Sequence, residues 1–127
     1  MTKEECIEQA VKYKHSGYNC AQAVIKSLSE YYGRSSDELL KMTTGFAAGM
    51  GTMEGPCGAL VGANMMLGIQ TNGSNTLPKS RRLITEFQKE CGSTVCKELK
   101  GVTTGQVLCS CDNCVKNAVE ETIALLL

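Results

Sequence analysis

The sequence has a single histidine, no net charge and no apolar run long enough to cross a membrane. Each shortage removes a class of function. Thirteen basic residues balance thirteen acidic ones without clustering, so there is no electrostatic footprint for nucleic acid or an anionic membrane surface. The longest uncharged apolar run, Pro56 to Ile69, is about fourteen residues, short of the ~20 needed to span a bilayer. Met1 to Glu8 is polar and acidic, unlike a secretory signal, and Arg81-Arg82 lies too deep for a twin-arginine signal. The expected location is therefore cytoplasmic. His15 is the only imidazole available to a Ser–His–Asp set, and no convincing carboxylate pair takes its place. No Gly-Lys-Ser/Thr follows any glycine, which excludes a P-loop.

What is present is helical periodicity. Hydrophobic residues at 43% and charged residues at 20% are ordinary for a globular chain and exclude disorder. Thr2-Lys3-Glu4-Glu5 is a capping box, followed by Ile7, Ala10, Val11 and Lys14 at helical spacing, with Gly17 as the stop. A second helix is expected from Asn19 to Gly33. Ser35-Ser36-Asp37-Glu38 reads as another capping box, opening a short helix towards Met42. Pro56 suits the first turn of a helix running to about Leu67, and Pro78 opens one that closes at Gly92. Ser93 or Thr94 is expected to cap a short helix through Leu99, ended by Gly101. The last helix begins near Cys111, with Val115, Val119, Thr122, Ile123 and Leu126 on one stripe. Strand-like alternation does not compete. The expected fold is all-α, a single-domain irregular helical bundle of five to seven helices over residues 1–127.

Eight glycines lie between Gly45 and Gly73. Gly49 to Gly55 echoes a dinucleotide-binding turn, but no β-strand precedes it. Two compatible readings remain. Gly58 and Gly62, four apart, would let another helix backbone approach closely. Alternatively Gly55, Gly58 and Gly62 form a loop and helix start whose backbone nears a cofactor or another cysteine. The methionines Met42, Met50, Met53, Met65 and Met66 read as core fillers, and His15 as a capping or surface group.

Eight cysteines in a reducing compartment point to metal binding or redox chemistry, or to simple burial. Their positions are more informative than their number. Cys20, Cys57, Cys96, Cys111 and Cys114 all fall at expected helix starts. Free N–H groups and the helix dipole there favour the thiolate, which is both the nucleophile and the metal ligand. One helix end contributes only about 0.3–1 kcal/mol, so strong activation requires converging ends, a nearby cation or a metal. Cys6 reads as packing.

Spacing leaves several metal options open. Cys109-x-Cys111-x2-Cys114 matches no common iron–sulfur run. Cys91-x4-Cys96-x14-Cys111-x2-Cys114 lies near the range of a four-cysteine zinc site, without the flanking knuckle turns. Cys111-x2-Cys114 alone resembles a redox CxxC pair, though outside a thioredoxin setting.

Four segments together carry a family resemblance: Gly17-Tyr18-Asn19-Cys20-Ala21-Gln22-Ala23-Val24, Gly55-Pro56-Cys57-Gly58-Ala59-Leu60-Val61-Gly62, Gly92-Ser93-Thr94-Val95-Cys96-Lys97-Glu98-Leu99, and Cys114-Val115. Their order and residues resemble the C-GCAxxG-C-C family of redox-active proteins. The resemblance implies a small bacterial or archaeal domain with Cys20, Cys57, Cys96 and Cys114 as its hallmark redox thiols. It also implies an accessory role in oxidoreductase or transport systems and an iron–sulfur or other thiolate-bound metal, here on Cys20, Cys57, Cys96, Cys111 or Cys114. Cys6, Cys91, Cys109 and Cys111 are additions to that pattern. The expected function is redox chemistry at clustered cysteines with an unnamed redox partner. The alternative is a non-catalytic module holding zinc or another thiophilic ion for structure or delivery. Glycine-rich helix faces and zero net charge leave a homo-oligomer open.

Overall fold

A computed structural model describes residues 1–127. Seven α-helices follow one another: α1 (Lys3–His15), α2 (Cys20–Tyr31), α3 (Asp37–Met42), α4 (Gly58–Gln70), α5 (Thr76–Cys91), α6 (Cys96–Lys100) and α7 (Cys111–Leu125). No strand forms, so the fold is an all-α bundle.

Local chemistry explains most boundaries. At α1, the Glu5 N–H donates to Thr2 Oγ1 (3.1 Å) and the Thr2 N–H to the Glu5 carboxylate (3.2 Å), the reciprocal capping box. Asn19 and Gln22 repeat the device at α2. Gly17, Gly33, Gly92 and Gly101 take left-handed backbone just beyond four helix ends. Four expected starts differ: Val95, rather than Ser93 or Thr94, is the N-cap of α6, α5 begins at Thr76, two residues before Pro78, and two further starts depart in kind. Ser36 precedes α3 in a helical conformation and makes no side-chain cap bond, so the second capping box does not form. Pro56 lies outside α4, in an isolated antiparallel bridge with Val95. The chain there is held by the Cys57 N–H donating to the Thr94 carbonyl (2.8 Å) and the Cys96 N–H donating to that of Gly55 (3.0 Å). Proline lacks an N–H, which a bridge can spare as readily as a helix start.

α2, α4 and α7 form the centre of the bundle, with α1 against α2 and α7, and α5 against α4 and α7. One cluster of 21 buried residues, including Ile25, Leu28, Leu60, Leu67, Leu83 and Phe87, makes the core. Fully burying each such side chain stabilises by about 1.5–3 kcal/mol. Met66 is buried in it, whereas Met42 and Met50 are exposed and therefore not core fillers. Cys6 is a core residue: its thiol lies 3.0 Å from Ser27 Oγ, while the Ser27 hydroxyl donates to the Cys6 carbonyl (2.6 Å).

The α2–α4 crossing is closest at two glycines. A Cβ on Gly62 would lie 2.7 Å from the Ala21 carbonyl oxygen, and one on Gly58 would lie 2.6 Å from Cys20 Sγ and 2.9 Å from the Phe46 carbonyl. Gly68, in the same helix, faces open space. Gly62→Ala should therefore destabilise by about 1–3 kcal/mol through overpacking. Gly68→Ala should stabilise by up to about 1 kcal/mol through helix propensity. Urea unfolding of the two variants checks the opposite signs.

Candidate functional site

The cysteine-bearing helix starts converge. Cys20 is the first residue of α2, Cys57 the N-cap of α4, Cys96 the first residue of α6, and Cys111 and Cys114 stand in the first turn of α7. Three local devices bring them together. Gly58 and Gly62 let the start of α4 settle against α2, setting Cys57 beside Cys20. The paired backbones of 55–57 and 94–96 hold Cys57 alongside Cys96. The third is an ionic tie: Asp112 in the first turn of α7 accepts from His15 Nε2 (2.9 Å) and lies 3.6 Å from Lys14 Nζ, joining the end of α1 to the start of α7. His15 is thus a surface group, as its position suggested, and its hydrogen bond holds the Asp112 carboxyl below the usual range.

Cys20, Cys57, Cys96, Cys111 and Cys114 line one cavity of about 290 Å³, with Lys14, Tyr18, Met53, Gly58 and Lys100 also on its wall. Ala47 and Ala48 close one side. The backbone there is strained: Ala48, Met50 and Met53 have left-handed φ of 52°, 60° and 63°, and Gly49 and Gly51 between them are left-handed too, at 59° and 80°. Non-glycine residues in that conformation cost about 1–3 kcal/mol each, and such cost concentrates at sites that need a particular wall. Of the three glycines singled out in the sequence, Gly58 lines the cavity. Gly55 holds Cys96 through its carbonyl, and Gly62 serves the helix crossing.

All eight cysteines are free thiols, and their environments differ. Cys57 is pushed down to about 6. The leading cause is the neighbouring Cys114 thiol; burial opposes, and the Leu60 and Ala59 N–H groups and Lys100 assist. The Cys57 sulfur closes no short cap bond, so those N–H groups act across a looser approach. Cys114 moves the other way, well above the ordinary thiol range, because of the neighbouring Cys57 sulfur and its own burial. Burial also raises Cys20 and Cys96, and the neighbouring Cys57 sulfur adds to both. Helix starts therefore do not favour every thiolate. Desolvation outweighs a single helix dipole except where a neighbouring thiol, a cation and free N–H groups meet. Lys100 is that cation. Burial disfavours its charge, but the Cys114, Cys111 and Cys57 sulfurs outweigh this and hold it above the ordinary lysine range; Nζ lies 3.7 Å from Cys114 Sγ.

Behind the cavity wall a second group forms. The sulfurs of Cys91, Cys109 and Cys114 all lie within 4.8 Å of one another, a spacing that can accommodate a metal ion. Asn117 Nδ2 donates to Cys91 Sγ (3.2 Å), and burial together with the Cys109 thiol raises Cys91 to about 12. Cavity sulfurs are of the donor type that holds iron–sulfur clusters and soft metals. No three of them approach one another as closely as the Cys91, Cys109 and Cys114 sulfurs do, and Cys114 alone belongs to both groups.

Sequence reasoning did not single out Lys100, although a signal existed: Cys96 and Lys100 are four apart in one helix and share a face. Cys91 and Cys109 are additions to the family pattern; Cys91 also entered the zinc-like Cys91-x4-Cys96-x14-Cys111-x2-Cys114 spacing, but the structure groups it with Cys109 and Cys114 and not with Cys96 or Cys111.

A family model described as "Putative redox-active protein (C_GCAxxG_C_C)" matches residues 18–125, a span that contains every residue of both sulfur groups. No curated protein and no solved structure matches the chain.

Iodoacetamide should alkylate Cys57 with a rate that rises through pH about 6 and is level above pH 8, while Cys20 and Cys96 respond only at more alkaline pH. Lys100→Met removes positive potential beside the sulfur and should move the Cys57 midpoint upward; peptide-resolved alkylation against pH measures both.

Proposed function

Because the chain belongs to the C_GCAxxG_C_C family, we propose that it is a redox-active protein whose cavity performs thiol–disulfide exchange. Cys57 is the attacking thiolate and Cys114 the resolving thiol. The observation that carries this reading is the Cys57–Cys114 pair itself: adjacent sulfurs on two helix starts, one depressed to about 6 and the other kept protonated, with Lys100 beside them. An attacking thiol works best with a pKa near the ambient pH, where a large thiolate fraction is combined with retained nucleophilicity.

In the forward direction the Cys57 thiolate attacks one sulfur of a substrate disulfide, forming a mixed disulfide and releasing one thiolate. Cys114 then attacks the Cys57 sulfur as its proton passes to the second departing thiolate. The protein gains a Cys57–Cys114 disulfide, and the substrate leaves as two thiols. Run in reverse, the Cys57–Cys114 disulfide oxidises two partner thiols and the protein returns to its dithiol form. Cys20, Cys96 and Cys111, the other thiols on the wall, face the same reacting volume. At about 290 Å³ the cavity lies at the small end of ligand sites, suited to a small disulfide or a cysteine on a protruding loop. Lys14 and Lys100 favour an acidic one. Such a device fits a cytoplasmic accessory that exchanges electrons with an oxidoreductase or transport system. No helix of the structure is long and apolar enough to cross a membrane.

The test uses oxidised glutathione under anaerobic conditions, with mass spectrometry of the products. Cys114→Ser should accumulate a mixed disulfide of glutathione on Cys57, because the resolving sulfur is gone. Cys57→Ser should take up no glutathione at the cavity. An unmodified Cys57 in Cys114→Ser, or a Cys57→Ser variant that reacts as fast as the native protein, overturns the reading.

A further inference from the structure

Cys114 stands between two groups of sulfurs, and this position has a chemical consequence. On one side it shares the cavity wall with Cys57, while its thiol donates to the Cys109 carbonyl (3.8 Å). On the other, its sulfur lies within 4.8 Å of both Cys91 and Cys109, which, unlike Cys57 and Cys114, are absent from the cavity lining. Cys91 and Cys109 are neighbours in their own right, their sulfurs lying within 4.8 Å of each other. A reagent in the cavity meets Cys57 and Cys114, and Cys91 and Cys109 lie one sulfur further in.

We propose that Cys91 and Cys109 form an internal dithiol store, charged and discharged only through Cys114. The proposal rests on the cavity exchange described above and extends it. Once a Cys57–Cys114 disulfide exists, the Cys109 sulfur attacks Cys114, forming Cys109–Cys114 and expelling Cys57, and the proton lost by Cys109 passes to the departing Cys57 sulfur, which releases it to solvent through the cavity. Cys91 then attacks Cys109, forming Cys91–Cys109 and expelling Cys114, which takes up the proton that Cys91 loses. No external oxidant enters either step: one disulfide migrates, and one pair of thiols is restored at the cavity. The original electron acceptor is the low-molecular-weight disulfide reduced at Cys57.

The surroundings suit each transfer. A thiol of lower pKa leaves faster. Cys57, the first leaving group, is the depressed sulfur at the start of α4, and Cys114, the second, departs 3.7 Å from Lys100 Nζ. Asn117 donates to the Cys91 sulfur at 3.2 Å, steadying the attacking thiolate against its burial. Cys109 lies outside any helix, just after the exposed segment 102–108, so drawing together sulfurs already within 4.8 Å of one another breaks no helical hydrogen bond of Cys109. With the store included, the protein holds two disulfides, Cys57–Cys114 and Cys91–Cys109, and so four electrons rather than two.

The experiment treats the reduced full-length protein anaerobically with one and then two equivalents of oxidised glutathione, quenches with acid and alkylates, and maps disulfides by peptide mass spectrometry. After one equivalent, Cys91–Cys109 should predominate with Cys57 and Cys114 free; after two, both disulfides should be present. Cys109→Ser and Cys91→Ser should each stop at a single disulfide containing Cys114, halving the electron capacity. Cys57→Ser should form Cys91–Cys109 at least tenfold more slowly than the native protein. The store is overturned if one equivalent leaves Cys57–Cys114 oxidised and Cys91 and Cys109 alkylated, or if Cys57→Ser links Cys91 to Cys109 at the native rate. The first of these results leaves the cavity exchange standing. If Cys57 accepts no glutathione in Cys114→Ser, the cavity reading fails first and the store with it.

Discussion

The contact that everything else depends on is the approach of α4 to α2 at two residues without side chains. Gly62 meets the Ala21 backbone, and Gly58 meets the Cys20 sulfur, at separations that a Cβ would make impossible without displacement. Dispersion and burial favour the close crossing, but its functional result is geometric. It brings the start of α4 against the start of α2, so that the cavity between them is walled by sulfur. The pairing of 55–57 with 94–96 adds Cys96, and the ionic tie from Lys14 and His15 to Asp112 sets α7 so that Cys111 and Cys114 complete the ring.

Within that ring the electrostatics are economical. Two unit charges about 4 Å apart repel by about 4 kcal/mol at an effective dielectric of 20, so adjacent sulfurs do not ionise together. The pair resolves this by asymmetry: Cys57 takes the charge, supported by the neighbouring thiol of Cys114, the N–H groups of Ala59 and Leu60, and Lys100, while Cys114 keeps its proton. Cys20 and Cys96 also sit at helix starts and remain thiols, because burial outweighs what one helix end supplies. Location at a helix N-terminus is thus insufficient for activation.

Much of this was legible in the sequence, and the failures have physical reasons. The caps at Thr2 and Asn19, the glycine stops and the all-α class follow from local rules, and local rules hold wherever backbone groups find partners within a few residues. Ser36 broke the pattern because its own backbone is already helical, leaving the side chain no cap geometry. Pro56 was assigned to a helix when its partner was Val95, a residue that no local rule could supply. Lys100 was readable as an i, i+4 neighbour of Cys96. The approach of Cys91 and Cys109 to Cys114 was not, because it arises from the end of one helix and an irregular loop meeting the first turn of another.

The sequence by itself determined that the chain is helical, that five cysteines fall at helix starts, and that small residues at 58 and 62 permit one very close crossing. Those are consequences of periodicity, capping and side-chain size, all properties of short stretches. Only the tertiary structure decided which sulfur is the thiolate, which lysine stands beside it, and that Cys114 belongs to two groups at once. Each of these depends on distances between segments far apart in the chain, and both Coulomb energy and thiol exchange act over a few ångströms in space, whatever the separation in sequence.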